Sequence, residues 1–269
     1  MFPRLKSKET LFLHDPKHSL SFMYSESHCH LTGVTDEVIK KARKAGFNLL
    51  LTSGIDLDSS IEAAASAKKW DIVKGCVGIH PWYANEYTPM VEERLMELAR
   101  EPEVVAVSET GLDFKGRMTK EWVREDRYID RETQIESFRR QLRLAEKLGI
   151  PAIVHDRAEG TEIIDVMVDH GSAETGLAIH GFSEDPDYVT RCVEEGIYLS
   201  VGLRPLEAAE PGFLEAVKKL PLEYLLTETD SGDPQGIFSV CDTIAELKGL
   251  TRKEVGKAAT MNLMKLCGL

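Results

Sequence analysis

A (β/α)8 barrel is the fold this sequence predicts, and three observations predict it. Short β-branched apolar runs alternate with amphipathic stretches of helical period; the alternation repeats eight times; no Pro/Gly/Ser-rich linker, low-complexity tract or internal repeat interrupts it. The 269 residues suit one such barrel. An open doubly wound sheet shares the alternation, because the closure of a last strand on a first is not written in a sequence.

The strands read, in order, near 22–28, 48–53 (NLLLTS), 72–79 (IVKGCVGI), 103–108 (EVVAVS), 151–155 (PAIVH), 176–180 (GLAIH), 196–201 (GIYLSV) and 224–229 (YLLTET). Helical spacing places helices near 35–45, 58–69, 89–100, 130–148, 160–170, 186–195, 211–219 and 236–248, with a closing helix over TRKEVGKAATMNLMKL. The stretch DPDYVTRCVEEGI shows the pattern: a polar start with an early proline, apolar residues at helical intervals, then glycine before the next strand. Residues 1–20 precede the first strand as an N-terminal extension to a single barrel domain over 21–269.

Hydrophobic residues make up 42% of the chain and charged residues 29%, an ordinary globular balance. No apolar run reaches the roughly 20 residues that span a bilayer, so no membrane partner is expected, and the charged start does not read as a secretory signal. Five scattered cysteines without a CxxC pair argue against a disulfide framework or a thiolate-held zinc, and for a reducing cytoplasm. The net charge of −12 disfavours a basic-groove nucleic-acid module. One segment departs from that average: between Lys115 and Arg143 stand nine Lys/Arg and six Asp/Glu. It reads either as a holder for a polyanion or as a salt-bridged helix face.

Metal-capable residues gather at the strand ends. His28 and His30, in SHCHL, close the first strand and leave it on one face. His80 follows the third strand, Glu109 lies just past the fourth, His155 and His180 end the fifth and sixth, and Asp230 lies just past the eighth. The carboxyl ends of barrel strands form the face where barrel enzymes build their sites. Only His14, His18 and His170 fall elsewhere. Imidazoles and carboxylates suit Zn²⁺, Mn²⁺ or Mg²⁺. A carboxylate between histidine groups suits a pair of ions roughly 3.5–4 Å apart, an arrangement that splits phosphoesters and amides. For any single histidine a hydrogen-bonded core role is the commoner explanation; the set of seven at one mouth favours a metal site.

These residues resemble the TatD family of metal-dependent deoxyribonucleases, within the amidohydrolase-like barrels. The resemblance runs in order through SHCHL (27–31), GIHPW (78–82), SETGLDF (108–114), QLRLAEKLGIPAIVHDR (141–157), IHGF (179–182) and LLTETD (225–230), and so covers the chain from about residue 24 onward. It implies two divalent ions (Mg, Mn or Zn) and phosphodiester cleavage, often 3′→5′ on DNA. His28, His30 and Asp230 would hold one ion, Glu109 would bridge both, and His155 with His180 would hold the second. Asp230 and Glu109 are the catalytic pair it implies, Asp230 also taking a proton from water.

His80 resembles the family's phosphate-facing histidine. Arg157 is a candidate for a substrate phosphate or a rim salt bridge. Glu228 is a candidate to orient a ligand or to pair with a nearby cation. Trp82 and Tyr83 read as base-stacking platforms or as packing. Three departures bear on the substrate: Glu26 stands where the family has Asp, SGDPQGIFSV after ETD has no Arg-Asn pair, and the segment from Phe114 to Arg139 is longer and more charged. The expected substrate is therefore DNA or, alternatively, a small phosphoester or amide metabolite; a non-catalytic metal-binding barrel is the third reading.

Overall fold

Eight parallel strands follow one another round a single sheet in chain order, in a computed structural model that describes residues 23–116, 128–170 and 174–269. The strands are β1 (Tyr24–Cys29), β2 (Phe47–Ser53), β3 (Val73–Val77), β4 (Val104–Asp113), β5 (Ala152–Arg157), β6 (Leu177–Phe182), β7 (Tyr198–Gly202) and β8 (Leu225–Glu228). Between them run α1 (Asp36–Lys44), α2 (Leu57–Lys69), α3 (Pro89–Leu98), α4 (Arg131–Leu148), α5 (Glu162–His170), α6 (Pro186–Glu194), α7 (Leu203–Ala208) and α8 (Pro211–Lys219). Two further helices, α9 (Ile237–Lys248) and α10 (Arg252–Cys267), end the chain. This is the (β/α)8 barrel, not an open doubly wound sheet. The expected extension over 1–20 and the centre of the charged segment lie outside the described residues.

The barrel closes where β8 returns to β1. Asp230 N–H donates to the His28 carbonyl at 3.2 Å, and His30 N–H to the Ser231 carbonyl at 3.1 Å. Side chains complete the seam: Ser27 Oγ donates to the Thr227 carbonyl at 3.0 Å, and Thr227 Oγ1 to the Ser25 carbonyl at 3.3 Å. Both faces of the sheet are buried, as a parallel sheet with helices outside requires. On β2 the alternation is visible: Leu50 joins the cluster shared with Ile39, Phe138 and Ile163 from the helices, while Leu49 and Leu51 join Ile153, Ala178 and Leu226 of other strands. α10 adds Leu263 and Leu266 to that second cluster. Each such leucine taken from water contributes about 1.5–3 kcal/mol.

Local sequence sets the helix boundaries. Asp56, Thr88, Asp130, Asp185 and Thr251 cap helix N-termini with their side chains, and Gly149 ends α4 in the left-handed conformation. The helix α4 also keys two strands. Its Gln134 accepts from Asp113 N–H at 2.8 Å and donates to the Asp113 carbonyl at 3.1 Å. Two turns on, Gln141 does the same for Ile79, at 2.8 and 2.9 Å. The residues so clamped stand beside His80 and at the end of β4. The described part of the charged segment is a salt-bridged face: Arg131 pairs with Glu162, and Arg140 with Glu92 at 2.6 Å.

β5 and β6 run two residues past the expected ends at His155 and His180, and two elements differ more from the sequence expectation. β4 runs on to Asp113, so Glu109 lies inside the strand rather than past it; Thr110–Asp113 stay in register with Val154–Arg157 of β5. α7 lies in a stretch to which the sequence reading assigned no element; Pro205 sits in its first turn, where a proline lacks no bond.

Candidate active site

Glu109 is the centre of the barrel mouth, and its two oxygens face different histidines. Oε1 lies 2.9 Å from His180 Nε2, 3.1 Å from His155 Nδ1 and 3.5 Å from His80 Nε2. Oε2 lies 3.4 Å from His28 Nε2 and 3.7 Å from His30 Nε2. Asp230 closes the second group, its Oδ1 3.2 Å from His30 Nε2 and 3.8 Å from His28 Nε2. The rings are tightly assembled: His28 stacks on His180 with centroids 3.7 Å apart, and His155 Nδ1 is 3.3 Å from His180 Nε2. The structure thus brings all seven strand-end residues into one cluster.

Hydrogen bonds behind the rings decide which nitrogens carry protons. A carbonyl only accepts, so the 3.0 Å contact of His30 Nδ1 with the Ser53 carbonyl places a proton on Nδ1 and turns Nε2 toward Asp230. His28 Nδ1 meets the Ser53 hydroxyl at 3.2 Å, and that hydroxyl donates onward to Ser108 Oγ at 3.3 Å. One serine at the end of β2 therefore aims both Nε2 atoms at Glu109 and Asp230. His80 is set the opposite way. Its Nδ1 accepts the Trp82 backbone N–H at 3.1 Å, so a neutral ring carries its proton on Nε2 and points a donor into the mouth.

Charge follows from burial against neighbours. Burial alone would raise the Glu109 carboxyl, but His180, His80 and His28 around it hold it well below the usual range. Burial likewise opposes charge on His180, yet Glu109 and Glu228 raise it well above an ordinary histidine. Burial and His155 push His80 down, and burial and His180 push His28 down. On Asp230, burial is outweighed by the His30 hydrogen bond and by His28, which push the carboxyl down to about 2. Asp230 also has a positive φ of 50°, a left-handed conformation that aspartate tolerates better than most residues.

The remaining candidates sit around this cluster. Glu228 is buried behind His180: its Oε1 accepts Gly181 N–H at 2.7 Å and lies 3.7 Å from His180 Nδ1. Arg157 forms the rim salt bridge, 3.2 Å from Asp113 Oδ2. Trp82 packs on His80 with centroids 4.2 Å apart. Glu26, buried, accepts from Thr229 N–H at 2.7 Å and from Thr229 Oγ1 at 2.9 Å, and so fixes the residue before Asp230. Sequence reasoning missed Ser53 and Asp113. Asp113 was within reach, since it follows Glu109 by four on one strand and so faces the same side.

The donor set suits divalent cations. His28, His30 and Glu109 form one group with ligand atoms within 4.8 Å of one another, and His80, Glu109 and His155 form another. Three buried ring nitrogens of the cluster make no hydrogen bond, His28 Nε2, His155 Nε2 and His180 Nδ1, and the first of them faces Glu109 and Asp230. Among the described residues no helix is long and apolar enough to cross a membrane.

Comparison with known proteins gives the same direction. The family model described as TatD related DNase matches residues 26–268. YabD, a metal-dependent hydrolase of Bacillus subtilis, is 27% identical over 91% of this chain and 98% of its own. The 3′-5′ ssDNA/RNA exonuclease TatD of Shigella flexneri is 32% identical over 73% of this chain and 72% of its own. Among solved structures, the TatD homologue YjjV of Escherichia coli superposes with a TM-score of 0.79 at 22% identity, covering 92% of this chain and 98% of that one. With its barrel, its cluster of histidines and carboxylates at the strand ends and this match over nearly the whole chain, the protein belongs to the TatD-related DNase family of metal-dependent hydrolases.

Proposed function

We propose that the protein is a two-ion phosphodiesterase that removes nucleotides from the 3′ end of single-stranded DNA. The observation that carries this reading is the division of Glu109 between two imidazole groups, one on each oxygen. His28, His30, Asp230 and Glu109 would hold one ion; Glu109, His155 and His180 would hold the other. Such ions, when bound, acidify water and neutralise charge on the phosphodiester.

The chain supplies the rest. Asp230, kept ionised by His30, accepts the proton of the attacking water. His80 presents Nε2–H to a phosphate oxygen, which is why it reads as a substrate donor rather than a ligand despite its closeness to Glu109 and His155. Arg157 at the rim meets the next phosphate, and Glu228 holds the orientation of His180 from behind. The free, buried Cys29, Cys76, Cys192 and Cys241 fit a reducing cytoplasm.

Purified protein with Mn²⁺ or Mg²⁺ should convert a 5′-labelled single strand into a ladder of shorter products. The net charge of −12 supports a second reading, a small phosphoester substrate. Intact DNA beside turnover of a small phosphate ester would replace the first reading with the second.

A further inference from the structure

The segments that rim the mouth are poor in cations. Those after β1, β2, β3, β6 and β8 carry no Lys or Arg, while Asp56, Glu86, Glu184, Asp230 and Asp233 stand in them. Arg157, at the end of β5, has its charge met by the buried Asp113 at 3.2 Å. Arg131, at the start of α4, pairs with Glu162. Lys115, after β4, acts electrostatically on Asp156 and Glu184. A single strand of DNA brings a negative charge with every nucleotide, and ions at the centre serve the phosphate being cut. Its other phosphates must find cations elsewhere.

β7 lends no imidazole or carboxylate to the cluster, although it runs between β6, which carries His180, and β8, which leads to Asp230. It ends at Gly202, in register with Glu228, and a Cβ there would come 3.2 Å from the Glu228 carboxylate. α7 starts at the next residue. Its Leu203 and Leu206 face the core, and Leu203 lies beside Thr229, since a Cβ on Gly236 would meet both. Arg204 stands off that face and is exposed. It lies two residues past Gly202, as Asp230 lies two past Glu228, so both leave the sheet at the same level on adjacent strands. Helical side chains lean toward the helix N-terminus, which for α7 means back to the strand ends. Among the described residues no carboxylate, hydrogen bond or aromatic ring takes up the Arg204 guanidinium.

We infer that Arg204 is a substrate-binding residue that holds a non-scissile phosphate of the single strand on the β7 side of the mouth. This rests on the phosphodiesterase reading given above. A guanidinium presents paired N–H donors to two phosphate oxygens. Arg157 shares its charge with Asp113, whereas Arg204 brings a whole one. An arginine that was merely solvated would bear neither on salt dependence nor on which phosphates must be charged.

Short labelled single strands test this, one unmodified and others carrying a neutral methylphosphonate at one non-scissile linkage. In Mn²⁺, Arg204→Gln should raise KM about 3–10-fold, more than it lowers kcat. The plot of log(kcat/KM) against log[KCl] should flatten by about 0.7, the share of one phosphate contact on a single strand, and Arg204→Lys should restore it. One methylphosphonate position should weaken the wild type and add nothing to Arg204→Gln. An unchanged salt slope overturns the inference, as does a variant that stays as sensitive as wild type to every methylphosphonate. If no strand is cut, the same slopes and substitutions are read from equilibrium binding followed by anisotropy. A slope that falls there keeps Arg204 and ends the nuclease reading alone. Strands bound alike by both proteins, or by neither, overturn the inference.

Discussion

His30 Nε2 and Asp230 Oδ1 stand 3.2 Å apart, although one residue follows the first strand and the other follows the last. The contact holds Asp230 ionised down to about pH 2 in the ion-free chain, against the effect of its burial. Asp230→Asn keeps the shape and removes the base, so turnover on single-stranded DNA should fall about 10²–10⁴-fold with circular dichroism unchanged. Turnover within a few fold of wild type would remove Asp230 from the proton-transfer role.

Glu109→Ala should cost bound metal as well as rate, because no other carboxylate reaches both imidazole groups among the described residues. Elemental analysis after dialysis against Mn²⁺ should fall from two ions per chain to one or none. Two retained ions would sink the bridging assignment.

Gly111→Ala should destabilise the barrel beside its centre. Gly111 has a φ of +142°, and a Cβ there would come 2.0 Å from the His155 carbonyl oxygen. β4 and β5 must part to admit it, moving Glu109 and His155 relative to each other. Overpacking of this kind costs about 1–3 kcal/mol. A lower midpoint in urea, with weaker Mn²⁺ binding, is the expected pair of results.

Glu26→Gln should change how stability responds to pH. Burial raises the Glu26 carboxyl well above its ordinary 4.5, against the lowering effect of the Thr229 hydrogen bonds. The folded chain thus keeps a proton that the unfolded chain releases. That contribution is complete below about pH 4.5 and is lost as pH climbs through the folded value. Urea melts of the ion-free proteins at about pH 5 and about pH 8 should show the variant gaining on wild type at the higher pH. An unchanged difference would mean that Glu26 is ionised in the fold.

Much of this was legible in the sequence because strand ends carry the chemistry. His28, His30, His155 and His180 each close an apolar run, and the barrel brings such ends together by construction. The far half of β4 was hidden: Gly111 and Asp113 have low strand propensity, and the register with β5 holds them extended. Ser53 was hidden for another reason. A small polar residue at a strand end has many ordinary uses, and this one acts through two rings on a neighbouring strand. Asp113 lay inside a quoted motif, yet its partners come from elsewhere, Trp82 from the 3-10 turn after β3 and Arg157 from the end of β5, and that meeting is a matter of distance rather than spacing.

The seam between β1 and β8 also sets a timing. A chain under synthesis exposes Glu26 with His28 and His30 well before Asp230 and the Thr229 that Glu26 grips, 203 residues further on from Glu26. At a synthesis rate of about 5–20 residues per second, the mouth stays unfinished throughout that interval. Cutting power would switch on once, with the last strand, and no truncated product lacking that strand would carry it.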